Sequence, residues 1–380
     1  MAQKRKTAAS HAALTDAEHA PTLPSRRRTA IARRLLAWFD RHGRVLPWRA
    51  NTDPFRVWVS EVMLQQTQVD RVCDYFVRFL ATFPNVHALA AATEADVLSA
   101  WQGLGYYRRA RQLHACAKQV VKQHGGCFPD TVDALTALPG IGRYTASAIA
   151  SIAFERSEPI IEANSRRVIA RLIGYDRPLA GTSGDRPLWD VATQLVPTQH
   201  AGRFNQALMD LGALVCRPAA PSCSVCPLAT LCTANLDGRT DELPRMAKPR
   251  ATVAIEELVL VITDGTRVLL VQRGEGEWWT GLWDFPRAAA PLGPPLRQAR
   301  RDGRWLGEVR YGVTHHRVRV DVVRIVLDAA EANEVPHGGN QALPRFANEP
   351  AAVRWQPVSQ LPQLAMPSPA RRIADLATRA

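Results

Sequence analysis

The chain has 380 residues, long enough for two domains of ordinary size, and 46% of them are apolar, enough for a sizeable core. Lys and Arg outnumber Asp and Glu by 48 to 35, and the formal charge of +13 favours a polyanionic partner, either nucleic acid or an anionic membrane surface. No apolar run approaches the roughly 20 residues that span a bilayer, and no signal-peptide pattern is recognisable, so secreted and membrane-spanning classes are not expected.

The first part of the chain predicts a polar tail followed by a helical domain. Residues 1–28 are rich in Ala, Lys and Arg and lack periodicity, which predicts a disordered basic tail; a transit peptide is the alternative, although Asp16 and Glu18 count against it. Residues 29–235 show helical periodicity punctuated by Pro and Gly, and predict an all-α domain. Predicted helices begin near Thr29, Phe55, Thr93, Arg109, Val132, Thr145, Arg166 and Arg203.

A polar stretch with two prolines, residues 236–251, predicts a linker to a second domain. Residues 252–380 follow a different pattern. A β-branched run is broken at Asp264-Gly265, which predicts a hairpin, and residues 318–327 predict another strand. A short helix is predicted at the end of the chain, so the second domain is expected to be α+β.

Four of the seven cysteines form a C-x6-C-x2-C-x5-C pattern in a proline-rich stretch. Without a signal peptide, this crowding favours metal ligation over a disulfide framework. Four thiolates in one short loop can hold a [4Fe-4S] cluster or a zinc ion, and the spacing leaves both open. The candidate ligands are Cys216, Cys223, Cys226 and Cys232. The other three cysteines stand singly and are interpreted as packing residues.

A tight glycine turn joins two predicted helices between Leu138 and Thr145. Gly140 and Gly142 let the backbone approach a ligand closely, and the free N–H groups at the start of the next helix suit a phosphate. The sequence L-P-G-I-G is the helix-hairpin-helix signature for a duplex backbone. The basic charge and the nearby cysteine loop favour this interpretation over a plain helical turn.

Glu61 stands in an apolar stretch between Val59 and Val62. Apolar surroundings raise the pKa of a carboxyl group and suit it to donate a proton near neutrality, whereas the alternative is a solvated helix glutamate. The polar run that follows, residues 65–68, is rich in amides that could reach base edges.

A second glutamate, Glu162, precedes Asn164, Arg166 and Arg167 in a chain that is expected to bind an anion. The simplest interpretation is an ion pair between Glu162 and Arg166 at i,i+4 on a helix, which is worth roughly 0.2–0.5 kcal/mol. The residues themselves leave open whether this carboxylate has a chemical role.

Together these motifs resemble those of the MutY adenine DNA glycosylases, which belong to the endonuclease III superfamily. The resemblance extends from about Thr29 to Cys232. It continues more weakly over residues 252–378, which are similar to the Nudix-like 8-oxoguanine-recognition domain of that family. Beside the cysteine spacing and L-P-G-I-G, the motifs are LPWR at 46–49, SEVMLQQTQV at 60–69, GLGYYRRAR at 103–111 and FNQALMDLGALVC at 204–216.

The resemblance implies that adenine mispaired with 8-oxoguanine or guanine is flipped out of the duplex and its N-glycosidic bond hydrolysed. It implies that Glu61 protonates adenine N7, and that Glu162, supported by Asn164, faces the developing oxocarbenium ion. The family has Asp-Gly-Asn where this chain has Glu162-Ala163-Asn164, so the charge is kept but the side chain is one methylene longer. Displacing a catalytic group by about 1 Å can cost roughly a hundredfold in rate.

The resemblance also implies a [4Fe-4S] cluster on the four cysteines and a glycosylase without lyase activity. Lyase-competent relatives carry a Schiff-base lysine where this chain has Tyr144, which cannot form one. The residues that the resemblance places around the flipped adenine are Trp48, Arg49, Leu64, Gln66 and Gln206. It places Tyr106 as a wedge in the base stack, and Gly140 and Gly142 against the DNA backbone. For Trp48 and Leu64 core packing is the alternative.

In the second domain, "YGVTHHRVRV" resembles the loop and strand that read 8-oxoguanine, where the family often has Phe-Ser-His. Thr314 keeps the hydroxyl and His315 the imidazole, while Val313 replaces the aromatic ring. A Nudix hydrolase needs a glutamate-rich helix to hold magnesium, but residues 288–306 contain no glutamate. This domain is therefore predicted to bind and not to hydrolyse.

The sequence thus predicts a multidomain protein: an all-α helix-hairpin-helix glycosylase domain with a cluster loop at 216–232, then an α+β Nudix-like domain at 252–380. We expect a monofunctional base-excision-repair enzyme that acts on double-stranded DNA as a monomer, away from membranes, in the bacterial cytoplasm and associated with the nucleoid. The alternatives are a mismatch thymine glycosylase and a non-catalytic lesion-binding protein. Retention of Glu61, Asn164 and a carboxylate at 162 speaks against loss of catalysis.

Overall fold

The computed structural model describes residues 21–179, 186–246, 251–289, 303–328 and 352–379. The chain divides into two compact units. The first unit comprises residues 1–61 and 128–248, and the second comprises residues 62–127 and 249–380. The predicted helical domain of residues 29–235 therefore contributes to both units.

Helices account for nearly all regular structure before residue 251 in the described part of the chain, as the sequence predicted. They are α1 (Ser25–His42), α2 (Pro54–Leu64), α3 (Val69–Thr82), α4 (Val86–Ala91), α5 (Glu94–Ala100), α6 (Arg108–His124), α7 (Val132–Thr136), α8 (Arg143–Phe154), α9 (Ala163–Ile173), α10 (Arg186–Leu195), α11 (Ala201–Leu214) and α12 (Thr233–Leu236). The sequence did not predict α3, α4 and α10. At six residues, α4 is too short to show a helical period, and its start is marked only by the Asn85 side chain, which accepts a hydrogen bond from Ala88 N.

The core of the first unit forms where α1, α9, α10 and α11 bury their apolar faces. Ile31, Leu35 and Trp38 recur at helical spacing along α1 and are all buried. Helix α11 approaches its neighbours closely because of two glycines: a Cβ on Gly202 would lie 2.5 Å from Ser151 O, and one on Gly212 would lie 2.6 Å from the Asn164 Cβ. The backbone of α11 therefore touches both α8 and the start of α9.

The second unit contains a mixed sheet, which confirms the α+β prediction. Its described strands are β1 (Val253–Thr263), β2 (Arg267–Gln272), β3 (Trp283–Asp284), β4 (Arg287–Ala289), β5 (Arg304–Val313), β6 (His316–Val326) and β7 (Ala352–Pro357). Their order is β3-β2-β1-β6-β5, with β4 paired to β1 and β7 to β2. The central pair, β1 and β6, is parallel, and the β1–β2 connection is the predicted hairpin at Asp264-Gly265. A final helix, α13 (Ser368–Arg379), packs on the sheet through Ala370 and Ile373.

Two segments predicted to lack structure are in part structured. Helix α1 begins at Ser25, inside the predicted tail, because Arg27 donates hydrogen bonds to the Leu172 and Leu231 carbonyls at 3.0 and 2.8 Å. In the predicted linker, Leu243 is buried and its carbonyl accepts a hydrogen bond from Arg171. Residues 1–20 and 247–250 lie outside the described residues, as do residues 290–302, which include most of the segment predicted to lack a glutamate-rich helix.

In the part of the chain that the structure describes, every helix is too short or too polar to cross a bilayer.

Candidate active site

The carboxylate of Glu61 is buried in the first unit, near the end of α2. Its Oε2 accepts a hydrogen bond from the Tyr144 hydroxyl on α8. Burial raises the pKa of Glu61 from 4.5 to about 7; the Tyr144 hydrogen bond and the Arg49 charge oppose the rise, and the Glu162 charge adds to it. The raised pKa that the apolar neighbours predicted is confirmed. Near neutral pH about half of the molecules hold the proton that a general acid must donate.

Tyr144 serves the carboxylate as a hydrogen-bond donor. Its hydroxyl also lies 3.9 Å from the Met209 sulfur. Burial, followed by the neighbouring charge of Glu61, raises the pKa of Tyr144 well above 10, so the phenol keeps its proton throughout the neutral range. A phenol that stays protonated can stabilise the ionised form of Glu61 once that residue has lost its own proton.

Glu162 caps the N-terminus of α9, a role that the sequence did not predict. Its Oε2 accepts from Asn164 N at 2.8 Å and from Asn164 Nδ2 at 3.2 Å, while Oε1 accepts from Ser165 N at 2.7 Å. In return, Glu162 N donates to Ser165 Oγ at 2.8 Å, which completes a capping box. With both oxygens held, the carboxylate is fixed in one orientation.

Burial and the neighbouring donors have opposite effects on the pKa of Glu162. Burial raises the pKa of Glu162, while the N–H groups of Asn164 and Ser165 and the charge of Arg167 limit the rise. The positive end of the helix dipole favours an anion at this position. Because the charge of Glu162 also acts on Glu61 and Tyr144, these residues share one electrostatic site.

Arg167 links this site to the cysteine loop. It donates from Nη2 to Asn164 Oδ1 at 2.8 Å and to the Gly212 carbonyl at 2.7 Å, and from Nε to the Cys216 carbonyl at 2.7 Å. The close approach of α11 that Gly212 permits brings these acceptors within reach of one guanidinium. The position of Asn164 therefore depends on the position of Cys216.

A buried ion-pair triad holds Arg49, one of the predicted adenine contacts. The fully buried Asp210 on α11 accepts from Arg49 at 2.8 and 3.1 Å and from Arg44 at 2.6 and 2.9 Å. Burial alone would raise the pKa of Asp210, but the hydrogen bonds from Arg49 and Arg44 hold it below its usual 3.8. The sequence analysis missed Asp210, although an acid inside the apolar stretch "ALMDLGALV" was a signal, because a buried acid needs a partner.

The other predicted adenine contacts of the first unit lie beside these residues along the chain. Trp48 is buried in the 3₁₀ turn Pro47–Arg49, and Gln206 is half-buried on α11.

In the hairpin, Gly140 has a φ of +74°, which favours glycine, and Gly142 is the exposed N-cap of α8. A Cβ on Gly142 would meet no atom within 4 Å, so the start of α8 is open to a ligand.

The four cysteines follow α11 on two short turns that lead into α12. Burial, together with the charges of the other three cysteines, raises the pKa of Cys226 to about 11, so the four sulfurs lie within electrostatic reach of one another. Arg171 donates to Cys216 Sγ at 3.3 Å. Four sulfur donors beside a guanidinium are a chemical match for an anionic iron–sulfur cluster. Among the described residues, no group of three or more His, Cys, Asp and Glu side chains has the geometry of a metal site, the four cysteines included.

In the second unit, Arg109 organises two loops that were predicted to contact DNA. This buried guanidinium lies over the Tyr106 ring, 5.5 Å from its centroid. Gln66 and Tyr106 have left-handed backbones, with φ of +58° and +48°, and both are exposed, whereas Leu64 is half-buried. The sequence analysis did not assign a role to Arg109. It donates to backbone carbonyls at the end of α2 and before α6, those of Val62, Met63, Gln65, Leu104 and Gly105.

Thr314 and His315 form the turn between β5 and β6. Thr314 is exposed with a φ of +52°, and its hydroxyl donates to the Val313 carbonyl at 2.7 Å. The rings of His315 and His316 lie 4.1 Å apart, and His316 rests on Trp278 at 5.2 Å. The turn is thus supported from one side and leaves the Thr314 hydroxyl accessible.

Comparisons with known proteins extend these observations. Family models match at residues 59–182, for the HhH-GPD superfamily base excision DNA repair protein, and at residues 258–376, for the NUDIX domain. The adenine DNA glycosylase of Mus musculus is 36% identical over 381 residues, covering 82% of this chain and 73% of the mouse protein. That of Buchnera aphidicola subsp. Acyrthosiphon pisum is 35% identical and covers 67% of this chain and 73% of its own. The structure of a thermostable thymine-DNA glycosylase matches with a TM-score of 0.50 and 27% identity, over 56% of this chain and 98% of that chain.

Proposed function

The chain belongs to the adenine DNA glycosylase family, and from that membership we propose that it hydrolyses the N-glycosidic bond of adenine paired with 8-oxoguanine or guanine in duplex DNA. The reaction is that of a base-excision-repair glycosylase. The observation that carries the proposal is the buried acid Glu61, with a pKa of about 7, in one electrostatic site with the fixed carboxylate of Glu162. The residues proposed for the chemistry are Glu61, Tyr144, Glu162 and Asn164.

Glu61 acts as the general acid. In its protonated form it transfers the proton to N7 of the flipped adenine, and the electron pair of the C1′–N9 bond leaves with the base. The Tyr144 hydroxyl, hydrogen-bonded to Glu61 Oε2, stabilises the carboxylate that results. General acid catalysis of this kind is typically worth about 10²–10⁴-fold in rate.

Glu162 stabilises the positive charge that develops on the sugar as the base departs. A carboxylate already held by two N–H groups and an amide needs no reorganisation when the oxocarbenium ion forms. Water then adds to C1′, and its proton returns to the Glu61 carboxylate, leaving an abasic site. The capping contacts explain how the longer glutamate is tolerated here: they fix both of its oxygens.

The reaction ends at base removal because Tyr144 occupies the position of the Schiff-base lysine. We propose domain limits of 29–235 for the glycosylase domain and 252–380 for the recognition domain. A [4Fe-4S] cluster on Cys216, Cys223, Cys226 and Cys232 would stabilise the fold of the loop between α11 and α12. In that loop Arg171 would offset the negative charge of the ligands.

Recognition is assigned to the remaining predicted residues. Tyr106, which is 49% exposed, is suited to enter the base stack, and the open start of α8 to bind a backbone phosphate. The fixed guanidinium of Arg49 can donate to the flipped base. The other proposed adenine contacts are Trp48, Leu64, Gln66 and Gln206, and the proposed 8-oxoguanine contacts are Thr314 and His315.

The test is single-turnover base release from an 8-oxoguanine:adenine duplex, with abasic sites cleaved by alkali. The parent should produce strand breaks at adenine, and Glu61→Gln should lose roughly 10²–10⁴-fold in rate while still binding the duplex. Breaks at thymine in a guanine:thymine duplex, and none at adenine, would identify a mismatch thymine glycosylase. Tight lesion binding without breaks in either duplex would identify a non-catalytic protein.

A further inference from the structure

A cavity of about 510 Å³ lies in the second unit, and none of the residues assigned so far to the chemistry or to recognition lines it. Its walls come from α3, from the end of α5 and the following loop, and from the start of α13. Its volume is within the range of small-ligand sites, roughly 300–1,000 Å³. The lining residues that matter here are Tyr75, Arg78, Ser99, Gly103, Ser368 and Arg371.

The cavity is positively charged. Its lining residues include two arginines, Arg78 and Arg371, and no carboxylate. Arg78 lies over the Tyr75 ring at 4.5 Å, and Arg71 approaches the same ring at 5.8 Å and donates to the carbonyl of Gly103 in the cavity wall. In the described part of the chain, neither Arg78 nor Arg371 has a carboxylate within ion-pair distance. The guanidinium groups of Arg71 and Arg78 beside the Tyr75 ring repel each other, and an anion bound between them would relieve that repulsion.

The guanidinium of Arg371 is held by backbone carbonyls. Its terminal nitrogens donate only to neutral carbonyls, those of Leu361, Pro362 and Leu364. Its Nε is buried and has no hydrogen-bond partner among the described residues. Burial lowers the pKa of Arg371, and the charges of Tyr107 and Asp375 oppose this decrease without cancelling it.

The lining of the cavity also offers neutral donors. Ser99 and Ser368 contribute hydroxyl groups, and Ser368 is also the first residue of the twelve-residue helix α13, whose N-terminal dipole favours an anion. Hydroxyl groups, guanidinium groups and a helix start are a donor set that fits the oxygens of a tetrahedral anion.

We infer that this cavity binds a phosphate group. The phosphate belongs either to the DNA backbone or to a free nucleotide or inorganic phosphate, since the recognition chemistry is shared. Gly103 in the cavity wall opens the loop that presents the exposed Tyr106, so a strand engaged by Tyr106 would bring a backbone phosphate near Arg78. The preference for DNA rests on the proposed function, whereas phosphate binding itself does not.

The experiment uses the full chain and three variants. Arg78→Gln removes one cation from the cavity. Ser368→Asp places a carboxylate in its wall at a helix position where an acid favours folding. Arg33→Gln is the matched control, because Arg33 is exposed on α1 and is not a lining residue of the cavity. Affinity for an 8-oxoguanine:adenine duplex is measured against salt concentration in a Glu61→Gln background, which prevents base release.

If the ligand is DNA, Arg78→Gln should make the slope of log affinity against log salt less negative by about 0.9, the value for one lost phosphate contact. Ser368→Asp should weaken binding as well, and Arg33→Gln should leave the slope unchanged. If the ligand is instead a free phosphate compound, adding inorganic phosphate or dAMP should raise the thermal midpoint of the parent and of Arg33→Gln. It should not raise that of Arg78→Gln or Ser368→Asp.

The inference is overturned if Arg78→Gln and Ser368→Asp behave like Arg33→Gln in both measurements. The outcome is separable from the proposed function. Single-turnover base release by the parent chain tests the proposed function, and neither the salt dependence nor the thermal midpoints depend on that rate. A parent that releases no adenine would refute the proposed function and leave the phosphate test with free ligands valid.

Discussion

Replacing Tyr144 by Phe tests the assignment of Glu61 as the general acid through the pH dependence of the rate. The Tyr144 hydroxyl donates to Glu61 Oε2, and a donor stabilises the ionised carboxylate more than the protonated one. This hydrogen bond therefore lowers the pKa of Glu61, in opposition to the burial that raises it to about 7. Removing the hydroxyl should raise that pKa, and the active protonated form should persist to higher pH.

The size of the shift follows from the strength of the hydrogen bond. A bond to a charged acceptor contributes about 1.5–3 kcal/mol, and one to a neutral acceptor about 0.5–1.5 kcal/mol. The two ranges differ by about 1–1.5 kcal/mol, which corresponds to about one pKa unit. At about pH 8 the protonated fraction of Glu61 should rise from roughly a tenth in the parent to roughly a half in Tyr144→Phe.

The assay is single-turnover release of adenine at saturating duplex, measured from about pH 5.5 to 9, with the midpoint of the alkaline limb as the readout. The absolute rate of Tyr144→Phe can fall without affecting the test, because only the midpoint reports the pKa. Tyr175→Phe, which removes a hydroxyl just after α9 in the same unit, should leave the midpoint in place. An unchanged or more acidic midpoint in Tyr144→Phe would refute the assignment of Glu61.

Four further outcomes are expected. Asp210→Asn leaves Arg49 uncompensated beside Glu61 and should move the same midpoint to lower pH, opposite to Tyr144→Phe. Glu61→Gln should raise the thermal midpoint at about pH 8. The pKa of Glu61 is about 7 in the folded chain and 4.5 in the unfolded chain, so the free energy of unfolding falls as pH rises through this interval, by on the order of 3 kcal/mol. In single-turnover assays, Glu162→Gln should lose most of the rate and Glu162→Asp should retain much of it; equal rates for Glu162→Gln and the parent would leave only the capping role. Metal analysis should find about four irons per chain, and Cys223→Ser should reduce folding or duplex affinity more than the chemical step.

Much of the fold was predictable because it depends on local patterns. Helical periodicity before residue 251 predicted the helices, and β-branched runs after it predicted the sheet. Both predictions were correct because each element buries the face that its own sequence makes apolar. The raised pKa of Glu61 was predictable for the same reason, because its neighbours along α2 are themselves buried. The family, too, was evident in contiguous motifs such as LPGIG and the cysteine spacing.

The roles of the buried charges were decided only by tertiary structure. Asp210 and Arg49 are 161 residues apart in sequence, and Arg109 reaches Val62 across 47 residues, so no local pattern could pair them. The residues alone left Glu162 either as an i,i+4 partner of Arg166 or as a carboxylate with a chemical role, and they did not predict its place at the N-cap, where it binds the first turn of α9. The sequence determined which charges are present, and the packing of distant helices decided which of them are buried, because a charge can leave water only where the folded chain supplies its partner.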